Sequence, residues 1–134
     1  MRTEKDIYTE MDPDLLKKFL CTLPKNYVII LKFGATWCRP CQNIKNDCEN
    51  YFCQLPKQVL CVDLDVDENM EIYSFFKNKR LINGIPALYV YYVRPDKDDN
   101  KWYIPDDSLS GSDKNELKLF FDRIKSYSAI NKIE

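Results

Sequence analysis

The sequence predicts an α/β fold in which helices cover both faces of a mixed central sheet. Apolar runs rich in β-branched residues alternate with segments whose apolar residues recur at helical spacing, in the order helix and then βαβαββα. A βαβ unit implies two parallel strands joined by a right-handed crossover. The polar stretch at residues 94–100 indicates an antiparallel hairpin between the last two strands. We therefore expect a single domain over residues 1–134, with a folded core of about residues 12–127.

The N-terminal half is predicted to contain a helix, a strand and a second helix. Asp12 is a good N-cap and Pro13 suits the first helical position, so the first helix begins there and ends before Pro24. Residues 27–33 are nearly continuously apolar, which predicts a strand buried on both faces. After a short turn, a second helix is expected over about residues 39–52.

The C-terminal half is predicted to contain a strand, a helix, two further strands and a last helix. The expected positions are residues 59–66, 68–78, 87–93 and 101–104, followed by a helix that begins near Asp113. Asp113 and Glu116, three residues apart, resemble a capping box. The apolar residues that follow at helical spacing are Leu117, Phe120, Phe121 and Ile124. They predict the face on which this helix packs against the sheet.

The composition argues against several classes of function. The net charge of −1 at pH 7 predicts no general attraction to nucleic acid or to an anionic membrane. The apolar runs at residues 27–31 and 87–93 are too short to cross a bilayer, and residues 1–6 lack the apolar segment of a signal peptide. We expect a monomer in the reducing cytoplasm, where the six cysteines are mostly thiols.

Cys38 and Cys41 form a C-x-x-C pair at the junction between a predicted strand and a predicted helix. This context indicates a redox dithiol rather than half of a metal site. A helix that begins at Cys38 directs its unpaired N–H groups and its dipole at that sulfur, which favours the thiolate. We expect Cys38 to be the exposed nucleophile and Cys41 to be the buried resolving cysteine, close enough to form an internal disulfide. The expected chemistry is dithiol–disulfide exchange.

Alternatives remain open for several of these residues. A zinc site needs two more ligands, and the chain has no His, while Cys48 and Cys53 would lie on the same helix or at its end. Trp37, directly before the dithiol, is either a core residue or an exposed aromatic platform for a substrate. Cys48 and Cys53 form a second thiol–disulfide switch only if the end of the helix frays. Cys61 is most simply a small core residue.

The segment F-G-A-T-W-C-R-P-C at residues 33–41 resembles the active-site segment of the thioredoxin family. Residues 62–67 resemble the central strand of that family, and residues 84–87 resemble its cis-proline loop. Gly111 matches a glycine that precedes its last helix. The resemblance covers about residues 12–127 and implies a thioredoxin-like fold.

The resemblance also implies an activity, that of a thiol–disulfide oxidoreductase that reduces protein disulfides. It implies no bound metal or organic cofactor, a redox-active Cys38–Cys41 disulfide, and electrons from an NADPH-dependent reductase. It places the Ile85 backbone beside Cys38, where an extended substrate peptide could pair with it. The residues expected to contact a substrate are Trp37, Pro40, Ile85, Pro86 and Gly111. The alternatives are a disulfide oxidase or isomerase, and a protein-binding module with weak redox activity.

Among the departures from the thioredoxin pattern, two concern charged residues of the expected site. Arg39 replaces a glycine inside the dithiol, and its cation favours the Cys38 thiolate, which makes the pair more oxidising. Lys32 stands where the family carries a buried Asp that assists proton transfer at the second cysteine. Strand alignment places Asp63 where bacterial members carry a Lys. We therefore expect a Lys32–Asp63 pair with exchanged charges, unless Lys32 extends to the sheet edge and touches nothing.

Overall fold

The computed structural model describes residues 5–96 and 99–132. Its elements are β1 (Ile7–Tyr8), α1 (Pro13–Thr22), β2 (Val28–Gly34), α2 (Arg39–Gln54), β3 (Val59–Asp65), α3 (Met70–Asn78), β4 (Ala87–Tyr92), β5 (Asp107–Ser110) and α4 (Lys114–Ile130). The predicted α/β class and the mixed sheet are confirmed. No helix among these described residues is both long enough and apolar enough to cross a membrane.

The sheet has the strand order β1-β3-β2-β4-β5. Strands β1, β3 and β2 run parallel, whereas β4 is antiparallel to β2 and β5 is antiparallel to β4. In this register Lys32 lies opposite Asp63, and Phe33 lies opposite Ala87. The carboxyl end of β2 therefore lies next to the start of β4, at the edge of the sheet where α/β folds place their chemistry.

Two hydrophobic cores lie on the two faces of the sheet, and every residue of β2 is buried. Helices α1 and α3 cover one face, with the buried side chains Leu16, Ile29, Leu31, Phe33 and Phe76. Helices α2 and α4 cover the other face, with the buried side chains Val28, Ile30, Phe52, Phe120 and Phe121. The predicted apolar face of the last helix is buried throughout. Burial of these side chains is the main favourable term that holds the sheet and helices together.

Two helices begin at the predicted caps. The Asp12 side chain accepts a hydrogen bond from the Leu15 N–H at 2.8 Å, and Pro13 occupies the first position of α1. The Asp113 side chain accepts hydrogen bonds from the N–H groups of Asn115 and Glu116 at 2.9 and 3.0 Å. These contacts satisfy N–H groups that have no partner inside the helix.

The prediction of a strand at residues 101–104 is wrong. Asp99–Lys101 form a 3-10 turn, and the strand that pairs with β4 is β5. The aromatic residues of this segment pack over α3, where the Trp102 ring stacks on Phe75 at 5.6 Å and 22°. The connection between β4 and β5 is correspondingly longer than predicted. The sequence analysis also missed β1, because a two-residue strand has no measurable periodicity.

Candidate active site

Cys38 and Cys41 form a disulfide at the amino end of α2, just after the carboxyl end of β2. Their Cα atoms are 5.3 Å apart. Cys38 is the N-cap residue of α2, and the Cys41 N–H lies 3.3 Å from its sulfur. The partial positive charge at this end of the helix is therefore directed at Cys38 Sγ, as the sequence predicts.

Both cysteines are buried in this disulfide form. Cys38 is 6% exposed and Cys41 is 2% exposed. Cys38 is thus only slightly more exposed than Cys41 in the oxidised form, and the exposure expected for the reduced Cys38 thiol stays a prediction. The cis-proline loop covers part of Cys38, because the Ile85 carbonyl oxygen lies 3.8 Å from Cys38 Sγ.

The cis-proline loop lies directly beside the disulfide. The Ile85–Pro86 peptide bond is cis, and Pro86 is buried while Ile85 is only partly buried. The Gly111 N–H donates a hydrogen bond to the Pro86 carbonyl oxygen at 2.9 Å. Gly111 has a φ of 99°, a conformation that glycine adopts readily and that other residues disfavour. Gly111 therefore holds the loop through the Pro86 carbonyl. The contact between Gly111 and a substrate, expected from the sequence, stays a prediction.

Trp37 is 68% exposed and stands beside the dithiol on the surface. Its indole Nε1–H donates a hydrogen bond to Asp67 Oδ2 at 2.8 Å. The Asp67 N–H in turn donates to Asp65 Oδ1 at 2.8 Å. The ring is thus an oriented surface platform and not a core residue. Sequence reasoning missed Asp67, although its place just beyond a predicted strand at the chemical edge of the sheet was an available signal.

Lys32 and Asp63 form the ion pair with exchanged charges. Lys32 Nζ lies 3.3 Å from Asp63 Oδ1, and the two side chains are 5% and 26% exposed. Lys32 therefore does not extend to the sheet edge without a partner. The Asp63 carboxylate offsets part of the cost of burying an ammonium group.

An open cleft of about 410 Å³ runs beside this pair. It is lined by Thr9, Glu10, Lys32, Gly34, Ala35, Thr36, Cys41, Gln42, Lys45, Asp63, Leu64, Asp65 and Glu68. The cleft therefore brings the resolving cysteine and the ion pair to one opening on the surface. Thr9 and Glu10 reach the cleft from the N-terminal segment, and no sequence pattern indicated that they line it.

Two further residues shape the amino end of α2. Gln42 Nε2 donates a hydrogen bond to the Ala35 carbonyl oxygen at 3.0 Å, which ties the helix to the turn that precedes it. Arg39 and Pro40 occupy the start of the helix and are exposed. Arg39 forms no ion pair with any residue in the described ranges, so its charge is not neutralised by a protein carboxylate there.

The other buried cysteines are poor nucleophiles. Burial raises the pKa of the Cys48 thiol to about 12, even though the nearby Lys32 ammonium acts in the opposite direction. Burial also raises the pKa of the Cys61 thiol to about 12. The complete burial of Cys48 disfavours the second switch considered for Cys48 and Cys53. Within the part of the chain that the structure describes, no group of three or more side chains is arranged to hold a metal ion.

A sequence profile of the thioredoxin family matches residues 14–117, which is more than half of the chain. The chain belongs to the thioredoxin family. Thioredoxin 3 of Plasmodium falciparum (isolate 3D7) is 27% identical over 124 residues, covering 90% of this chain and 61% of that protein. The chloroplastic thioredoxin-like protein CITRX2 of Nicotiana benthamiana is 31% identical over 74 residues, covering 55% and 39%. This thioredoxin-family chain therefore spans less than two thirds of the length of these relatives.

Solved thioredoxin structures share the fold. Trichomonas vaginalis thioredoxin superposes with a TM-score of 0.64 at 21% identity, covering 88% of this chain and 97% of that chain. Malassezia sympodialis thioredoxin superposes with a TM-score of 0.63 at 21% identity, covering 92% and 93%. The thioredoxin-like fold is therefore confirmed.

Proposed function

We propose that this thioredoxin-family chain is a thiol–disulfide oxidoreductase that reduces disulfides in other proteins. The observation that carries the proposal is the position of the Cys38–Cys41 disulfide. Its first sulfur caps the amino end of α2 and lies 3.8 Å from the Ile85 carbonyl oxygen in the cis-proline loop. This arrangement combines an activated nucleophile with an adjacent backbone edge that is able to hold a peptide.

The reaction begins with the reduced dithiol. The Cys38 thiolate attacks one sulfur of the substrate disulfide, whose S–S bond breaks, and the departing substrate thiolate takes up a proton. Cys41 then loses its proton and attacks Cys38 Sγ in the mixed disulfide. The bond to the substrate breaks, a second substrate thiol is released, and the Cys38–Cys41 disulfide forms. Two electrons pass from the protein to the substrate.

Substrate contacts are proposed on both sides of the disulfide. The exposed Trp37 ring offers an apolar platform that its hydrogen bond to Asp67 keeps in place. The partly exposed Ile85 offers backbone groups to an extended peptide. Pro86 and Gly111 hold that loop in position, and Pro40 is exposed at the start of α2. Such a surface suits an unfolded or loop-borne disulfide in a protein substrate.

An NADPH-dependent reductase is the proposed electron donor, and the cytoplasm is the proposed location. One related solved structure is a complex of ferredoxin:thioredoxin reductase with thioredoxin f2, whose fold superposes on this chain with a TM-score of 0.63 at 15% identity. In that complex a thioredoxin is bound to a reductase, which supports a reductase as a partner of this chain. The monomeric state expected from the sequence is part of the same proposal.

A disulfide oxidase or isomerase is the second candidate function. The observation in its favour is Arg39, an exposed cation that lies next to Cys38 at the start of α2 and pairs with no carboxylate among residues 5–96 and 99–132, so it favours the reduced, thiolate form. Equilibration with glutathione buffers of known composition separates the two candidates. A potential close to the thioredoxin range of about −270 mV supports the reductase, and one near about −120 mV supports the oxidase.

Insulin reduction tests the activity itself. The reduced protein, recycled with dithiothreitol, should accelerate precipitation of the insulin chains, and Cys38→Ser should abolish the acceleration. Cys21→Ser is the matched control, because Cys21 is exposed on α1 and outside the site. A protein that binds substrates but shows no Cys38-dependent turnover would instead be a binding module.

A further inference from the structure

The Lys32 ammonium and the Cys41 sulfur border the same small space beside Gly34. A Cβ atom at Gly34 would lie 3.6 Å from Cys41 Sγ and 3.9 Å from Lys32 Nζ. Because glycine has no side chain, Gly34 places no atom in this space. Lys32 and Cys41 also line the same cleft. The geometry therefore brings a cation close to the resolving sulfur.

The two charges of the ion pair act on this sulfur unequally. The Lys32 side chain is 5% exposed, whereas the Asp63 side chain is 26% exposed and is better screened by solvent. Lys32 Nζ is among the three atoms nearest to the space beside Gly34, and no atom of Asp63 is. Of the two charged groups, the ammonium is therefore the one that borders the space beside Cys41 Sγ and the one that solvent screens less.

We propose that Lys32 is a positioning residue for resolution, in which its buried ammonium stabilises the Cys41 thiolate that attacks the mixed disulfide. The proposal rests on the proposed function and deepens it. A carboxylate at this position would oppose formation of the thiolate and would have to act as a base. An ammonium instead lowers the free energy of the thiolate directly, so no protein base is needed at this step.

In this step the Cys41 thiol releases its proton to solvent through the open cleft. The thiolate attacks Cys38 Sγ, the bond between Cys38 and the substrate sulfur breaks, and the Cys38–Cys41 disulfide forms. The substrate sulfur leaves as a thiolate and takes up a proton from solvent. Lys32 neither gives nor takes a proton in this step, and Asp63 holds the Lys32 ammonium beside the sulfur through the 3.3 Å contact.

A single-turnover experiment with dithiobis(nitrobenzoate) resolves the two chemical steps. Reduced protein in excess releases one coloured thiolate when Cys38 attacks the reagent and a second when Cys41 resolves the mixed disulfide. Stopped-flow absorbance measures both releases in one trace. Because Cys21 is exposed and Cys53 is partly exposed, both are replaced by Ser in the parent protein and in every variant.

Lys32→Met should slow the second release about tenfold and leave the first within about twofold. The reason is that a rise of about one unit in the pKa of the Cys41 thiol lowers the thiolate population tenfold. Lys32→Arg keeps the charge and should retain most of the second rate. Lys45→Met is the matched control, because Lys45 is an exposed cation at the rim of the same cleft. Its second release should stay within about twofold of the parent, because solvent screens exposed charges.

Three results would overturn the proposal. The first is an unchanged second release in Lys32→Met, and the second is an equal slowing in Lys45→Met. The third is a second release in folded Lys32→Arg as slow as in Lys32→Met. If Lys32→Met does not fold, the double variant Lys32→Met, Asp63→Leu keeps the charge balance, and a parental second rate in that variant rejects the proposal. Loss of the first release in the parent would count against the proposed function itself.

Discussion

The Gly111 N–H donates a hydrogen bond to the Pro86 carbonyl oxygen at 2.9 Å, and this contact joins the segment before α4 to the cis-proline loop. Gly111 makes this contact with a φ of 99°. The residue that supports the loop therefore lies in a different element from the residues that contact the disulfide. The position of Ile85 beside Cys38 therefore depends on the cis-proline loop and on the segment that contains Gly111.

Gly111→Ala should lower the free energy of unfolding by about 1–2 kcal/mol, because a side chain disfavours the left-handed backbone region. The cause is the backbone alone, since a Cβ atom at Gly111 would meet nothing within 4 Å. Gly84→Ala is the matched control, because its Cβ would also meet nothing within 4 Å and its φ is not positive. Urea unfolding measures both variants. Equal stability of the two would contradict the assigned strain.

Arg39→Gly should make the Cys38–Cys41 couple more reducing by a few tens of millivolts, since about 30 mV corresponds to about 1.4 kcal/mol for two electrons. The reason is that the variant removes an exposed cation that stabilises the Cys38 thiolate. Equilibration with glutathione buffers measures the shift, and Arg39→Lys should keep most of the parental potential. A potential that is unchanged or that rises in Arg39→Gly would refute the electrostatic role of this residue.

Limiting iodoacetamide should label Cys38 before Cys41 in the reduced protein, because only Cys38 lies at the amino end of a helix. Cys48 and Cys61 should stay unlabelled well above neutral pH, since burial raises the pKa of each thiol to about 12 and leaves it protonated. Peptide mapping by mass spectrometry reads the order, and labelling in denaturant provides the full-reaction control. Earlier labelling of Cys41 would reverse the assigned roles.

Removal of Asp63 and removal of Lys32 should lower the free energy of unfolding by different amounts. Asp63→Leu leaves a nearly buried ammonium without its partner and should lower the free energy of unfolding by about 3–5 kcal/mol. Lys32→Met leaves a carboxylate that the cleft still hydrates, so a smaller loss of about 1–3 kcal/mol is expected. The double variant should recover much of either loss. A coupling energy near zero in this double-mutant cycle would mean that the pair adds nothing to stability.

The sequence was sufficient for the parts of the site that depend on local order or on the resemblance to the thioredoxin family. The C-x-x-C pair at the end of a buried strand placed Cys38 and Cys41 correctly, and the resemblance led to the pairing of Lys32 with Asp63. It was insufficient where tertiary packing overrides local pattern. Trp102 resembles a strand residue but packs on α3, and the burial of Cys38 depends on a loop far away in the chain.

Trp37 and Trp102 are the two tryptophans of the chain, and the fold places them in different surroundings, so the fluorescence of each reports a different property. Trp37 adjoins the disulfide and is open to solvent, so quenching of its emission should follow the redox state. Trp102 lies in the connection that follows the far end of β4, and its ring stacks on Phe75 of α3. Trp102→Phe therefore yields a protein whose fluorescence reports electron transfer, and Trp37→Phe yields one whose fluorescence reports folding.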